Sequence, residues 1–110
     1  KIRITATLAS LSNRFGKRLW ITETNWPLLD TKPFTPNSGS PRSTVNEATQ
    51  AKYLTDYYQT AWRTGLVERV YWWQLNQAGY GLVDHRPNIP RKMPSFYAFK
   101  KLLSPNGLSS

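Results

Sequence analysis

The chain has 110 residues, 39% apolar and 14% aromatic, and its fifteen Lys and Arg against six Asp and Glu give a formal charge of +9 at pH 7. That length suits one small domain, expected as a single unit over residues 1–110; the composition argues against disorder, and no run of eighteen apolar residues supports a membrane span. With no cysteine and a single histidine, His85, disulfides, thiol catalysis, Cys-based zinc and a His-rich metal centre are excluded, so any chemistry rests on carboxylates, hydroxyls and aromatics.

Ile4, Leu8, Leu11 and Phe15 recur at helical spacing and Gly16 follows where a left-handed C-cap is wanted, which predicts a helix over the first fifteen residues. "RLWIT" switches to a short apolar and β-branched run, a buried strand by length and flanks. On a period of two, Leu19, Ile21 and Glu23 share one face and Trp20, Thr22 and Thr24 the other. From Asn25 to Ser43 the chain carries Pro27, Pro33, Pro36 and Pro41 with "NSGS" between them, a long connection expected either as a binding lid or as disorder. Thr44 and Glu47 have capping-box spacing, and Ala48, Ala51, Leu54, Tyr58, Ala61 and Trp62 keep helical spacing until Gly65. "LVERVYWWQL" reads as a second strand. "NQAGYG" breaks it, "LVD" reads as a brief extended piece, and "HRPNIPRKMP" as irregular. Pro94 opens a last helix whose apolar face is Phe96, Phe99, Leu102 and Leu103.

Helix, strand, helix, strand, helix places two parallel strands around a crossover helix. Parallel strands are normally buried on both faces, and two strands cannot do that for each other. The expectation is therefore a piece of a larger α/β sheet or barrel, or a chain that completes its sheet by self-association. The start at Lys1, without Met or a signal-like segment, raises the same expectation of excision from something longer.

A carboxylate at the C-terminal end of a parallel strand stands where α/β folds place their chemistry. Glu23 holds that position, followed by Trp26. The second strand ends in Trp72, Trp73 and Gln74, with Asn76, Gln77 and Tyr80 beyond. Indoles cover the apolar face of a sugar ring, amides and carboxylates bond its hydroxyls, and an oxocarbenium-like transition state asks for an anionic nucleophile.

"LWITETNWP" resembles the seventh strand of the (β/α)8-barrel glycoside hydrolases of clan A, in which a Thr-Glu pair ends the strand. "VYWWQL" is similar to their eighth strand, and "GYGLVD" with "MPSFYAFKKLL" to the tail that comes after it. The resemblance covers nearly the whole chain, from the sixth helix to the eighth, and implies the C-terminal part of a (β/α)8 TIM barrel. It also implies a retaining O-glycoside hydrolase acting on an oligo- or polysaccharide without metal or organic cofactor. Carried over, Glu23 is the catalytic nucleophile, Trp72 or Trp73 the platform under the reacting sugar, and Trp26 and Tyr80 line flanking subsites. Asn25 stands where many relatives have Gly. The clan's acid/base, a Glu preceded by Asn at the end of the fourth strand, has no counterpart here, because Asn46-Glu47 opens a helix. Retaining hydrolysis needs both carboxylates about 5 Å apart, so the chain carries at most half of the apparatus and is expected to be inactive alone, its partners being the carbohydrate and the rest of the barrel or further copies of itself.

Plainer readings stand beside these. Glu23 is alternatively a structural acid paired to an Arg. One indole of the Trp72-Trp73 pair is core by alternation. Tyr53, Tyr57, Tyr58 and Trp62 read as packing, Asp84 as a turn cap, His85 as a surface residue, and Tyr80 as either a subsite residue or a turn aromatic. There are two rival functions: a carbohydrate-binding remnant without catalysis, and a small basic nucleic-acid binder. The cations are scattered along the sequence without a dense run, which disfavours the second. Composition leaves the cellular compartment open.

Overall fold

The computed structural model describes residues 4–28, 45–76 and 79–109. The expected lid over 25–43 lies mostly outside them, as does Thr44. The first helix, α1, is Thr5–Phe15, and Gly16 closes it in a left-handed conformation (φ 61°), its N–H donating to the Ser12 carbonyl at 2.8 Å. Strand β1 is Leu19–Thr24. Helix α2 is Glu47–Thr64; its N-cap is Asn46, whose Oδ1 accepts from the Thr49 N–H at 2.8 Å, so the cap falls two residues after the Thr of the expected capping box. An Asn side chain one residue before Glu47 reaches the exposed amides of the first turn directly. Gly65 ends α2 at φ 68°.

Strand β2, Val67–Trp72, lies parallel to β1. A short antiparallel pair comes next, β3 at Val83–Asp84 and β4 at Arg91–Lys92, so part of the segment expected to be irregular forms a hairpin. Gly81, just before it, packs so closely on the turn after β2 that a Cβ would stand 2.8 Å from the Leu75 carbonyl oxygen. Helix α3 is Pro94–Leu102, with proline in its first turn. The fold is thus mixed α/β, with a two-stranded parallel sheet and three helices among the described residues.

Helices α2 and α3 cover one face of the sheet. Leu54, Leu82 and Leu102 form the buried centre, with Tyr58, Trp72, Phe96, Phe99 and Leu108 packed around it. Burying one such leucine contributes about 1.5–3 kcal/mol. The opposite face is open: Trp20 is 56% exposed and Tyr71 45%, their rings 6.5 Å apart, with the Arg69 guanidinium 5.0 Å over the Trp20 ring. On α1 only Leu8 of the apolar stripe is buried, while Leu11 and Phe15 are exposed. Trp62, expected to pack, is also exposed and lines an apolar cavity of about 180 Å³ with Tyr58, Val67, Leu102 and Leu108. Both sheet edges and one sheet face therefore lack a neighbour among the described residues.

The strand register carries the main correction. Leu19 pairs with Val67, Ile21 with Val70 and Thr24 with Trp72, with irregular steps after Leu19 and after Ile21. No residue of β1, expected as a buried strand, is fully buried: Leu19 and Ile21 are half-buried, and past the second irregularity Thr24 is the half-buried residue and Glu23 is exposed. A bulge adds a residue to one strand and turns the residues beyond it to the other face. Glu23 accordingly does not share the face of Leu19 and Ile21.

Candidate active site

Because β1 and β2 are parallel, their C-terminal ends form one rim. The Trp73 N–H donates to the Thr24 carbonyl at 3.0 Å, which sets Trp73 level with the end of β1. Thr24 faces the helix layer, where its side chain hydrogen-bonds Tyr57, and its partner Trp72 faces the same layer. Alternation then directs Glu23, one residue before Thr24, and Trp73, one residue after Trp72, to the open face. Neighbouring strands run about 4.8 Å apart, close enough for a carboxylate and an indole on adjacent strand ends to meet one ligand. Trp73 is 40% exposed. Glu23 takes part in no ion pair with a described residue.

The two tryptophans therefore divide. Trp72 is half-buried, its ring 6.2 Å from that of Trp26 and its Nε1 donating to the Tyr80 carbonyl at 3.3 Å. Trp26 meets Tyr53 and Tyr57 edge-on, at 5.3 and 5.6 Å. Trp26 and Trp72 thus form an aromatic layer under the rim, leaving Trp73 as the indole that presents a surface. Burial pushes the Tyr57 phenol up, and pushes Tyr58, which donates to the Val70 carbonyl at 3.2 Å, up to about 12. Tyr80 is half-buried and contributes its carbonyl to the network.

Two amides that sequence reasoning did not assign to the site hold the rim together. Asn25 Nδ2 donates to the Trp73 carbonyl and, at 2.8 Å, to that of Tyr80, spanning the ends of both strands. Gln50, fully buried in the first turns of α2, donates through Nε2 to the Trp26 carbonyl at 2.8 Å, with Asn25 Oδ1 and the Gly79 carbonyl at 3.5 and 3.4 Å. The Gly79 carbonyl also accepts the Leu28 N–H at 3.0 Å. The signal for Gln50 was present: it lies four residues before Leu54 and eleven before Ala61, a polar residue in the buried stripe of a helix. The residues flanking Glu23 are thus clamped from α2 on one side and from the end of β2 on the other.

Two other described carboxylates near this end, Asp84 and Glu47, are engaged. Asp84 accepts from the Arg86 N–H at 3.1 Å and its side chain at 2.9 and 2.7 Å, which lowers its pKa to about 2. This is the turn-capping role expected of it. Glu47 receives the Arg91 guanidinium at 2.5 and 3.2 Å. His85 is exposed, with Nδ1 2.8 Å from the Asn76 carbonyl. Among the described residues no three His, Asp or Glu gather where an ion would bind, and no helix is long and apolar enough to cross a membrane.

Comparison of the chain with protein-family models, with curated proteins and with solved structures found no match.

Proposed function

We propose that the chain is the C-terminal part of a (β/α)8 barrel and supplies the nucleophile half of a retaining glycoside hydrolase site. The observation that carries this reading is the pairing of Glu23 and Trp73 on one open face at the C-terminal rim of adjacent parallel strands, above a fixed aromatic layer. The bare sheet edges and helix-free face support the barrel: six more strands would pair the edges and enclose the face bearing Trp20, Tyr71 and Trp73.

In this mechanism a sugar ring stacks on Trp73 and its anomeric carbon lies against Glu23. The Glu23 oxygen attacks that carbon, the glycosidic C–O bond breaks, and a second carboxyl protonates the departing oxygen. Water, deprotonated by the same second group, then attacks the anomeric carbon and releases Glu23. That second group is not Asp84, since a carboxyl held near pKa 2 by Arg86 carries no proton to give at neutral pH. Nor is it Glu47, which is committed to Arg91. Among the described residues no other carboxyl at this rim is left for the role, so in this reading the acid comes from another strand of the barrel, and the isolated chain should not hydrolyse glycosides whose leaving group needs a proton.

A fluorinated glycoside with a dinitrophenolate leaving group needs no acid, so it isolates the first step. The purified chain should be quenched in tryptophan fluorescence by an oligosaccharide, with affinity reduced at least tenfold, about 1.4 kcal/mol, in Trp73→Ala. The fluorinated reagent should add one glycosyl mass at Glu23 and none in Glu23→Gln. Binding without labelling would favour the second reading, a carbohydrate-binding remnant, which the presence of a single uncommitted carboxylate among the described residues of the rim also suits. Absence of both would remove the sugar site.

A further inference from the structure

The cations that look scattered along the sequence are gathered by the fold. Helix α1 ends, and β1 begins, beside the point where α2 ends and β2 begins: the Leu19 N–H donates to the Leu66 carbonyl at 2.8 Å, joining the two turns. Helix α3 runs the same way as α2, since Leu102 and Leu108 line one cavity with Ala61, Trp62 and Val67. The C-terminal ends of all three helices therefore lie towards the N-terminal ends of the strands, opposite Glu23. This end carries Arg14, Lys17 and Arg18 from the first turn, Arg63 from the last turn of α2, and Lys100 and Lys101 from the last turn of α3. All six are exposed, and none joins an ion pair with a described residue.

The contrast with the other cations is chemical. Arg86, Arg91 and Lys52 each hold a carboxylate. At the far end the nearest acid among the described residues is Glu68, the second residue of β2. Cations do suit helix C-termini, where the macrodipole places about half a negative charge. Three helix ends would then offset about one and a half charges, and Glu68 one more, which leaves an excess of more than three. An excess of that size, unpaired and on one surface, attracts a polyanion.

We infer that the N-terminal rim of the strands is a docking surface for an anionic polysaccharide. This rests on the proposed saccharide site at the opposite rim, since a polymer bound at one end of the molecule raises the effective concentration of neighbouring sugar chains at the other. Nucleic acid meets the same cations, but only a polysaccharide also presents sugar to the site proposed at the opposite rim.

The test uses the purified chain and immobilised polygalacturonate, with a neutral polysaccharide as control. Binding to polygalacturonate should weaken about tenfold or more between 50 and 200 mM salt, as counterion release requires, and the neutral polymer should not be retained. The triple variant Arg14→Gln, Lys17→Gln, Arg18→Gln should lose about tenfold in affinity with an unchanged circular dichroism spectrum. A charge-matched variant at the other rim, Arg86→Gln, Arg91→Gln, Lys92→Gln, should lose less than twofold. Equal loss in the two triple variants would show a response to net charge alone and overturn the proposal, as would tighter binding to single-stranded DNA or to phosphatidylserine vesicles than to polygalacturonate. Failure of fluorescence quenching by neutral oligosaccharide would instead remove the sugar site while leaving rim binding measurable.

Discussion

The two ends of the parallel strands are secured in different ways. At the N-terminal end the joint is backbone: the Leu19 N–H to the Leu66 carbonyl, with Gly16 and Gly65 closing the preceding helices in left-handed conformations. Side chains there are free to carry charge into water. At the C-terminal end the joint is made by side chains, with Asn25 and Gln50 donating to the carbonyls of Trp26, Trp73, Gly79 and Tyr80, and Trp26 laid against Trp72. Side-chain ties fix the positions of the groups they hold, as a reacting site requires. Backbone ties fix the chain and leave its surface unconstrained.

Removing what both ends share should have the largest effect. Leu54 is fully buried between α2, α3 and the Leu82 turn, and Leu54→Ala should cost about 2–5 kcal/mol in urea unfolding. Loss of amide protection at one end only would mean that the two ends open as separate units. Gln50→Ala should cost about 1–3 kcal/mol, because it strips the half-buried Trp26 carbonyl of its donor. Hydrogen exchange should accelerate at Leu28, whose N–H is bonded to Gly79, and stay slow at Leu19; equal acceleration at both would erase the distinction between the ends. Gly65→Ala probes the backbone joint. A Cβ there meets no neighbouring atom, but φ 68° is strained for alanine, so the cost should be about 1–2 kcal/mol, with faster exchange at Leu19 and no change at Leu28.

The smallest effect is electrostatic. The Asp84 pKa is lowered to about 2 from 3.8, first by its hydrogen bond from Arg86. Its native state therefore binds fewer protons than the unfolded chain in that window. The stabilisation is present above pH 3.8 and is lost as pH falls towards about 2. Solvent screening keeps it under about 1 kcal/mol. Thermal unfolding of Asp84→Asn against the parent should show a gap at about pH 6 that closes near about pH 2.

Much of the fold was legible because its signals are local. Helical spacing marked α1 and α2, Gly16 and Gly65 marked their ends, and Pro94 marked the start of α3. The candidate site was legible in part. Glu23 and the tryptophans stood out by residue type and position, yet the chain alone left Trp72 and Trp73 equivalent and placed Glu23 on the face of Ile21. Gln50 was readable as a polar break in an apolar stripe, but what it bonds was not, since its partners lie in other segments.

By itself the sequence determined the elements, their order and their caps, since spacing, capping chemistry and backbone preference act within a few residues. Only the tertiary structure decided the rest. The irregular register of β1 on β2 turned Glu23 outward beside Trp73, the closure of β1 against the Gly79–Tyr80 turn brought Asn25 and Gln50 to both strand ends, and the common direction of α2 and α3 collected dispersed cations on one rim. Each depends on pairing between residues far apart in the chain, which no local pattern encodes.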